Sequence, residues 1–289
     1  MGHAQAHELQ LSRLEHKYTV SRDVALRIRD FVASYLEIDE FGATNPNLSY
    51  PVHSLYLDSD DLRIYWGTIN GDKNRYKLRL RYYENRPNAP VYFEIKRRMN
   101  NAIMKQRGAV RRDAVELVLA GQLPSPAQLP SPDPRHAAAV GRFVELMQVV
   151  GAQPKAHVCY QREAWVQPDD NSIRVTFDRE VFCAVDLTTD LKTEMERPQK
   201  VFGESVILEL KFTGRFPDWF GQLVRSFNLH QGSAAKYADG VALMGEHLFS
   251  PLGVHAPGPE HARRRAARLR SLNLRCPPAP LYAEALNHV

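Results

Sequence analysis

The chain has 289 residues, of which 44% are hydrophobic and 25% are charged, a composition typical of globular proteins rather than of disordered chains. Its formal net charge of +5 is concentrated near the C-terminal end, because residues 256–289 hold six arginines against Glu260 and Glu284 and so contribute +4. The remainder is close to neutral, which argues against a generally basic, nucleic-acid-binding surface.

Cysteine usage and hydropathy favour a soluble, cytoplasmic protein. Cys159, Cys183 and Cys276 are scattered without a CxxC spacing, which argues against a disulfide framework or a zinc site. No apolar run reaches the roughly 18–20 residues that a transmembrane helix needs. The first ten residues lack an apolar signal core, and Ala6 stands where a myristoylation motif requires serine or threonine.

Alternation of apolar and polar residues predicts eight or nine β-strands. They cover residues 11–20, 52–58, 74–83, 90–98, 102–107, 157–166, 172–178, 181–186 and 205–213. Helical spacing of apolar residues predicts helices over 21–37, 112–120, 136–150, 216–228 and 236–248. Ser21 is a suitable N-cap for the first of these helices, and the proline-rich stretch 122–135 predicts a loop.

These elements predict an α+β fold in which a closed antiparallel eight-stranded barrel carries helices packed on its outside. We divide the chain into an N-terminal arm of residues 1–10, one domain over residues 11–250, and a tail over residues 251–289. The tail is rich in proline and arginine and is expected to be flexible.

Charged side chains share one face of each predicted strand, because successive side chains of a strand alternate between faces. In residues 74–83, Arg75, Lys77, Arg79 and Arg81 alternate with apolar residues. An ordinary antiparallel sheet turns such a face to water. Here cations dominate these faces, and the apolar stripes of the helices need the opposite faces as cover. We therefore expect a wet cationic interior that holds a polyanion such as a linear phosphate chain.

Seven short motifs follow one another in the order known from one protein family. They are "RLEHKYTV", "KLRLRYY", "VYFEIKRR", "CYQREAWV", "IRVTFD", "VILELKF" and "AAKY". Over residues 11–248 the chain resembles the VTC-type polyphosphate polymerase domain, a branch of the triphosphate tunnel metalloenzymes. The resemblance implies a tunnel in which a nucleoside triphosphate, expected from the family to be ATP, and a divalent metal, Mn or Mg, serve to lengthen polyphosphate.

The resemblance also implies roles for individual positions. The residues implied to bind phosphate are Lys17, Arg79, Arg81, Lys96, Arg162 and Lys236, with Lys77, Lys105, Arg107, Arg174 and Lys211 as secondary contacts. Glu209 matches the metal-binding glutamate. Glu15 and Glu94 are further metal candidates, with the alternative that they pair with Lys17 and Lys96. Asp178 is expected to orient Arg174.

Two departures from the family pattern affect the choice of activity. Ala235 stands where the family has serine before Lys236, and Arg13 replaces the first glutamate of the Glu-x-Glu-x-Lys motif that tunnel triphosphatases carry. The second departure favours a polymerase. A tunnel triphosphatase and a non-catalytic polyphosphate-binding module stay open as alternatives. The arginine-rich tail is either a solvated segment or a contact for an acidic polymer or membrane surface.

Overall fold

The structure is a computed structural model that describes residues 14–100, 102–168, 172–250 and 260–273. Its strands are β1 Leu14–Val20, β2 Glu37–Ile38, β3 Ser49–Asp58, β4 Asn74–Tyr82, β5 Pro90–Met99, β6 Ala102–Arg111, β7 Gln153–Val166, β8 Ile173–Val185, β9 Gln199–Lys200 and β10 Val206–Phe212. Its helices are α1 Arg22–Val32, α2 Glu40–Ala43, α3 Arg63–Ile69, α4 Val115–Leu119, α5 Pro134–Val150, α6 Asp218–Ser226, α7 Lys236–Met244 and α8 Glu260–Asn273. The predicted arm, residues 1–10, lies outside the described residues.

One antiparallel sheet organises the fold, as the α+β prediction requires. Its strands follow the order β1-β10-β8-β7-β3-β4-β5-β6, with β2 added to β7 and β9 added to β8. Strands β1 and β6 are the two ends, and no described residues of these strands pair with each other. The second edge of β1 instead accepts a hydrogen bond from Gly232, whose N lies 2.8 Å from the Lys17 carbonyl oxygen. Hydrogen bonds between described residues therefore do not close the predicted barrel.

Two apolar clusters cover one face of the sheet, which we call the outer face. Helices α1 and α6 pack on β1, β8 and β10, where Ile28 and Leu208 are fully buried. Helices α4 and α5 pack on β3 to β6, where Phe143 meets Phe93 with ring centroids 5.0 Å apart. Each fully buried leucine or phenylalanine contributes about 1.5–3 kcal/mol of hydrophobic stabilisation. These helices lie where the sequence places them, against the apolar strand faces.

A third cluster lies on the opposite face, which we call the inner face. Ile207, the neighbour of Leu208 on β10, is buried there together with residues of α3, α7 and α8. Tyr237 of α7 stacks on Tyr56 of β3 with ring centroids 5.0 Å apart and donates a hydrogen bond to Asp58 Oδ2 at 2.8 Å. The prediction that helices pack only on the outside is therefore wrong for α7. The physical reason is that the inner face is apolar at this end of the sheet.

Gly240 permits the close approach of α7 to β8. A Cβ atom at this position would lie 2.5 Å from Cys183 Sγ and 2.7 Å from Cys183 Cβ, which is closer than side chains tolerate. The helix can therefore pack this closely on the sheet only because residue 240 has no side chain. This contact sets the distance between α7 and the sheet, and with it the position of Lys236, the first residue of α7, on the inner face.

The end of α1 and the structure of the C-terminal segment differ from the sequence prediction. The Ser21 side chain caps α1 as expected, accepting from Val24 N at 3.4 Å, but α1 ends at Val32, five residues before the predicted end. Tyr35 beyond it is exposed and stacks on Trp219 of α6 with centroids 4.6 Å apart. In the expected flexible tail, residues 260–273 form α8. None of the described helices combines the length and the apolar run that crossing a bilayer takes.

Candidate functional site

Cross-strand register gathers the charged side chains on the inner face. Lys17 pairs with Glu209 and Glu209 with Thr176, while Arg79 pairs with Glu94 and Glu94 with Arg107. The inner face so defined carries the side chains of Glu15, Lys17, Lys77, Arg79, Arg81, Glu94, Lys96, Lys105, Arg107, Arg162, Asp178, Glu209 and Lys211, and Lys236 of α7 reaches the same face. Cations outnumber carboxylates on this face.

Glu209 is surrounded by four cations. Its Oε1 lies 2.7 Å from Lys17 Nζ and 3.4 Å from Lys236 Nζ. Its Oε2 contacts Lys211 Nζ and lies 3.7 Å from Arg162 Nη2. Burial would raise the pKa of the Glu209 carboxyl, but these four cations hold it well below its ordinary value. Glu209 is therefore an ionised carboxylate at neutral pH, in contact with side chains from three strands and one helix.

Asp178 links Arg162 to the helix residue Lys236. Arg162 donates from Nε and Nη2 to the two carboxylate oxygens at 2.7 Å each, and Lys236 Nζ lies 2.6 Å from Asp178 Oδ2. Burial opposes ionisation, but these cations lower the pKa of Asp178 to about 2. Lys236 thus joins Asp178 to Glu209. The expected pairing of Asp178 with Arg174 is wrong, since the residue across the strand pair is Arg162.

Arg174 forms an ion pair with a different carboxylate, that of Asp39. Its Nη2 lies 3.0 Å from Asp39 Oδ2 and 3.4 Å from the Tyr50 hydroxyl. Asp39 also caps α2, because its Oδ1 accepts a hydrogen bond from Gly42 N at 2.8 Å. Arg174 therefore forms its ion pair with neither Glu209 nor Glu94 but with Asp39.

Glu94 is the second centre of charge on the inner face and is fully buried. Arg79 Nη2 lies 2.6 Å from its Oε2, and Lys105 Nζ lies 2.7 Å from its Oε1. Arg107 and Arg81 approach to 3.3 and 4.0 Å. Burial would raise the pKa of Glu94, but Arg79, Arg81 and Lys105 hold it well below its usual value. These contacts favour an ion-pairing role for Glu94 over a metal-binding role, although its partners are not the expected Lys96.

Glu15 connects two strands that are far apart in the strand order of the sheet. Its carboxylate lies 3.0 Å from Lys17 Nζ on its own strand and 3.0 Å from Lys96 Nζ on β5. Strand β5 is next to the last strand of the sheet, while Glu15 lies on the first. The sheet must therefore curl strongly for this contact to form. Burial would raise the pKa of Glu15, but Lys17 and Lys96 reverse the effect and lower it.

Burial brings the pKa of three lysines of the inner face down toward neutral pH. Lys77 faces Lys96 across the β4–β5 pair, and no carboxylate among the described residues forms an ion pair with it. Burial, followed by repulsion from Lys17 and Lys96, lowers the pKa of Lys77 to about 7. Burial also lowers the pKa of Lys105 to about 7 and that of Lys211 to about 8, although carboxylates oppose it in both cases. A bound anion would relieve this repulsion.

Two tyrosines that the sequence analysis did not single out hold the guanidinium groups in place. Arg79 Nη1 donates to the Tyr56 hydroxyl at 3.0 Å, and Arg81 Nη2 donates to the Tyr160 hydroxyl at 3.0 Å. Lys236 Nζ also lies 4.8 Å from the centre of the Tyr160 ring. The alternation rule that selected Arg162 could have found Tyr160, which lies two residues before it on the same strand.

Comparison with known proteins identifies the family. Residues 12–245 match the family model described as the VTC domain, which is most of the chain. The chain belongs to the VTC domain family. This confirms the resemblance drawn from the seven motifs.

Two solved structures are similar to this VTC domain. One is a Bacillus halodurans protein named as a candidate adenylate cyclase, at 13% identity and a TM-score of 0.44, covering 78% of this chain and 95% of that one. The other is the PH1819 protein of Pyrococcus horikoshii OT3, at 11% identity and a TM-score of 0.40, covering 78% of this chain and 96% of that one. No curated protein matches the sequence.

The inner face of the VTC domain fits a divalent ion only jointly with phosphate. Within the described residues, no three histidine, cysteine, aspartate or glutamate side chains are arranged to hold a metal ion. Glu209 and Glu15 both contact Lys17, so two carboxylates come close to one point. Mg²⁺ is commonly bound by one or two carboxylates together with substrate phosphates. The donor set is compatible with that mode of binding, in which Glu209 and Glu15 would be the protein ligands.

Proposed function

We propose that this VTC domain transfers the terminal phosphoryl group of a nucleoside triphosphate, most simply ATP, to the end of a polyphosphate chain. The observation that carries the proposal is the convergence of cations from six strands and one helix on the inner face. Several of these cations lie beside other cations, as Lys77 lies beside Lys96. Like charges opposite each other destabilise a sheet, so the arrangement suits a ligand with a negative charge on each unit.

The residues act mainly by binding and orienting phosphates. A terminal oxygen of the chain attacks the γ-phosphorus, a new P–O bond forms, and the bond to the bridging oxygen breaks with its electron pair leaving on the nucleoside diphosphate. The attacking oxygen is already ionised, so no proton has to be removed. Arg79, Arg81 and Arg162 present planar guanidinium groups that can bind two phosphate oxygens at once. Their hydrogen bonds to Tyr56, Tyr160 and Asp178 fix their positions before the ligand arrives.

A divalent ion held by Glu209 and Glu15 together with phosphate oxygens would neutralise charge on the transferring group. Mn²⁺ and Mg²⁺ both take oxygen ligands and are the ions we propose. The proposal includes a tunnel-shaped inner face. It is supported by the Glu15–Lys96 contact at 3.0 Å, which joins β1 to β5.

The state of the carboxylates favours chain growth over hydrolysis. A triphosphatase needs a base that orients and activates water, and an efficient base has a pKa near the working pH. Glu15, Glu94, Asp178 and Glu209 are all ion-paired, and their cationic partners lower the pKa of each. Such carboxylates are weak bases. This favours the polymerase over the triphosphatase, which remains the second candidate.

The test is to incubate the purified protein with ATP and Mn²⁺ and to size the phosphate products. The proposal expects long chains from the parent and none from Glu209→Gln. The matched control is Glu163→Gln, because Glu163 is an equally buried carboxylate on the outer face, paired with Arg29 at 2.9 Å. Release of single phosphate without longer chains would instead establish the triphosphatase. Binding of polyphosphate without turnover would leave only a binding module.

A further inference from the structure

Helix α8 is docked on the domain through a small apolar face and one ion pair. Ala262 and Leu269 are buried in the cluster that contains α7. Arg265 Nε contacts Asp239 Oδ1, and Arg265 Nη2 donates to Ser233 Oγ at 3.3 Å. Asp239 is itself buried in α7, where its Oδ2 accepts a hydrogen bond from Ala235 N at 2.7 Å. Helix α8 is therefore fixed to the start of α7.

The exposed side of α8 carries four arginines, and we call it the arginine face. It consists of Arg263, Arg264, Arg268 and Arg270. Arg264 is paired with Glu260, whose Oε1 lies 2.6 Å from Arg264 Nη2. No described carboxylate forms an ion pair with the other three. At about 1.5 Å per residue, the seven residue steps from Arg263 to Arg270 span about 10 Å, so these charges are spread along about two turns of the helix rather than gathered at one point.

Helix α8 is connected to the inner face through α7. Helix α8 packs on α7, and the first residue of α7 is Lys236, which contacts both Asp178 and Glu209. A phosphate chain bound on the inner face is limited by the length of the strands. Longer chains must continue outside it, and α8, which packs on α7, offers guanidinium groups, which bind phosphate oxygens in pairs.

We propose that the arginine face of α8 binds the part of a polyphosphate chain that extends beyond the inner face. The choice of polyphosphate as the polymer rests on the proposed function. The argument for a phosphate polyanion rests on charge complementarity and on the rigid attachment of α8. The domain then holds long chains at two places, which raises affinity because the second contact is intramolecular.

The experiment compares a variant of the arginine face with a variant that loses the same charge elsewhere. The first carries Arg263→Gln, Arg264→Gln, Arg268→Gln and Arg270→Gln. The control carries Arg86→Gln, Arg135→Gln, Arg142→Gln and Arg215→Gln, all on exposed surface away from α8. Both leave the docking residues Ala262, Leu269 and Arg265 in place. Binding of long-chain inorganic polyphosphate, of tripolyphosphate and of single-stranded DNA is measured without nucleotide at several salt concentrations.

We expect the arginine-face variant to bind long polyphosphate about tenfold more weakly and with a smaller salt dependence than the parent. Its affinity for tripolyphosphate should equal that of the parent, and the control should behave like the parent in both assays. Unchanged affinity for the long chain, or equal losses for both ligands, overturns the inference. So does a loss of single-stranded DNA binding with polyphosphate binding unchanged, which would assign the face to nucleic acid. Because no turnover is measured, failure of the polymerase assay and failure of this assay are distinguishable.

Discussion

Replacement of Glu94 by glutamine tests whether the inner face is built for an anion. Glu94 is fully buried and is the shared partner of Arg79, Arg81, Lys105 and Arg107. Glutamine keeps the shape of the side chain and one acceptor oxygen but removes the negative charge. The variant therefore leaves four cations facing one another on the inner face.

The loss of stability can be worked out from the exposure of the partners. Removing one member of a buried ion pair costs about 3–5 kcal/mol. Arg79 and Arg81 have side chains only 17% and 8% exposed, so their charges are poorly screened. Lys105 and Arg107 are 43% and 37% exposed and contribute little. Because glutamine can still accept from Arg79, we expect a loss at the lower end of the range, about 3 kcal/mol.

An added anion should restore more stability to this variant than to the parent. A unit charge about 8 Å from a bound phosphate changes its binding by about 2 kcal/mol at an effective dielectric constant near 20. Removing the negative charge of Glu94 should therefore tighten tripolyphosphate binding at least tenfold, which adds about 1.4 kcal/mol of ligand-induced stabilisation at saturating ligand.

The assay is urea denaturation of the parent, Glu94→Gln and Glu163→Gln with and without tripolyphosphate. Glu163 is the control because it is equally buried but lies on the outer face, where Arg29, Arg179 and Trp165 donate to it. It should lose stability similarly and gain no extra stabilisation from the ligand. Equal ligand-induced gains in both variants would refute the view that Glu94 balances cations of an anion-binding face.

Three further outcomes follow from the contacts. Glu209→Gln should lower phosphoryl transfer at least a hundredfold in a product-sizing assay with Mn²⁺, and retained activity would remove Glu209 from the metal-binding role. Because the pKa of Lys77 is about 7, its positive charge is lost as the pH rises through that value. The KM for the nucleoside triphosphate should therefore increase between pH 6.5 and 8.5, and Lys77→Arg should flatten this dependence; a profile unchanged in the arginine variant would exclude Lys77 as its source. Gly240→Ala should destabilise the fold by about 1–3 kcal/mol in urea denaturation because its Cβ would overlap Cys183. Gly232→Ala, with open space around the added Cβ, is the control, and equal losses would contradict the packing argument.

Strand alternation was informative because it is a local property. It placed Lys17, Arg79, Glu94, Arg162 and Glu209 on one face of their strands, and the structure confirms that they share the inner face. The same rule could not tell which strands would be neighbours. That is why it missed the contacts of Glu94 with Arg79 and Lys105, and why it matched Asp178 with the wrong arginine.

Local sequence patterns also could not predict the contacts at the edges of the sheet or the face of the sheet on which each helix packs. Nothing in the spacing of residues 236–244 shows that α7 lies on the inner face, because its apolar side fits either face of a sheet. Gly232 pairing with Lys17 at the edge of β1 brings together residues more than two hundred positions apart. Likewise, the sequence of the arginine-rich segment 260–273 is compatible with a solvated tail. Only the structure shows that Asp239 forms an ion pair with Arg265.

The sequence alone determined the chemistry available to this protein: an antiparallel α+β fold, strands with one cationic face, and motifs of the VTC domain family. Only the tertiary structure decided how those charges combine, with Glu209 and Glu94 as separate centres and Lys236 contributed by α7. It also left the described residues of β1 and β6 without hydrogen bonds to each other. The physical reason is that side-chain alternation depends on neighbouring residues, whereas ion pairs and buried charge depend on contacts between strands far apart in the chain.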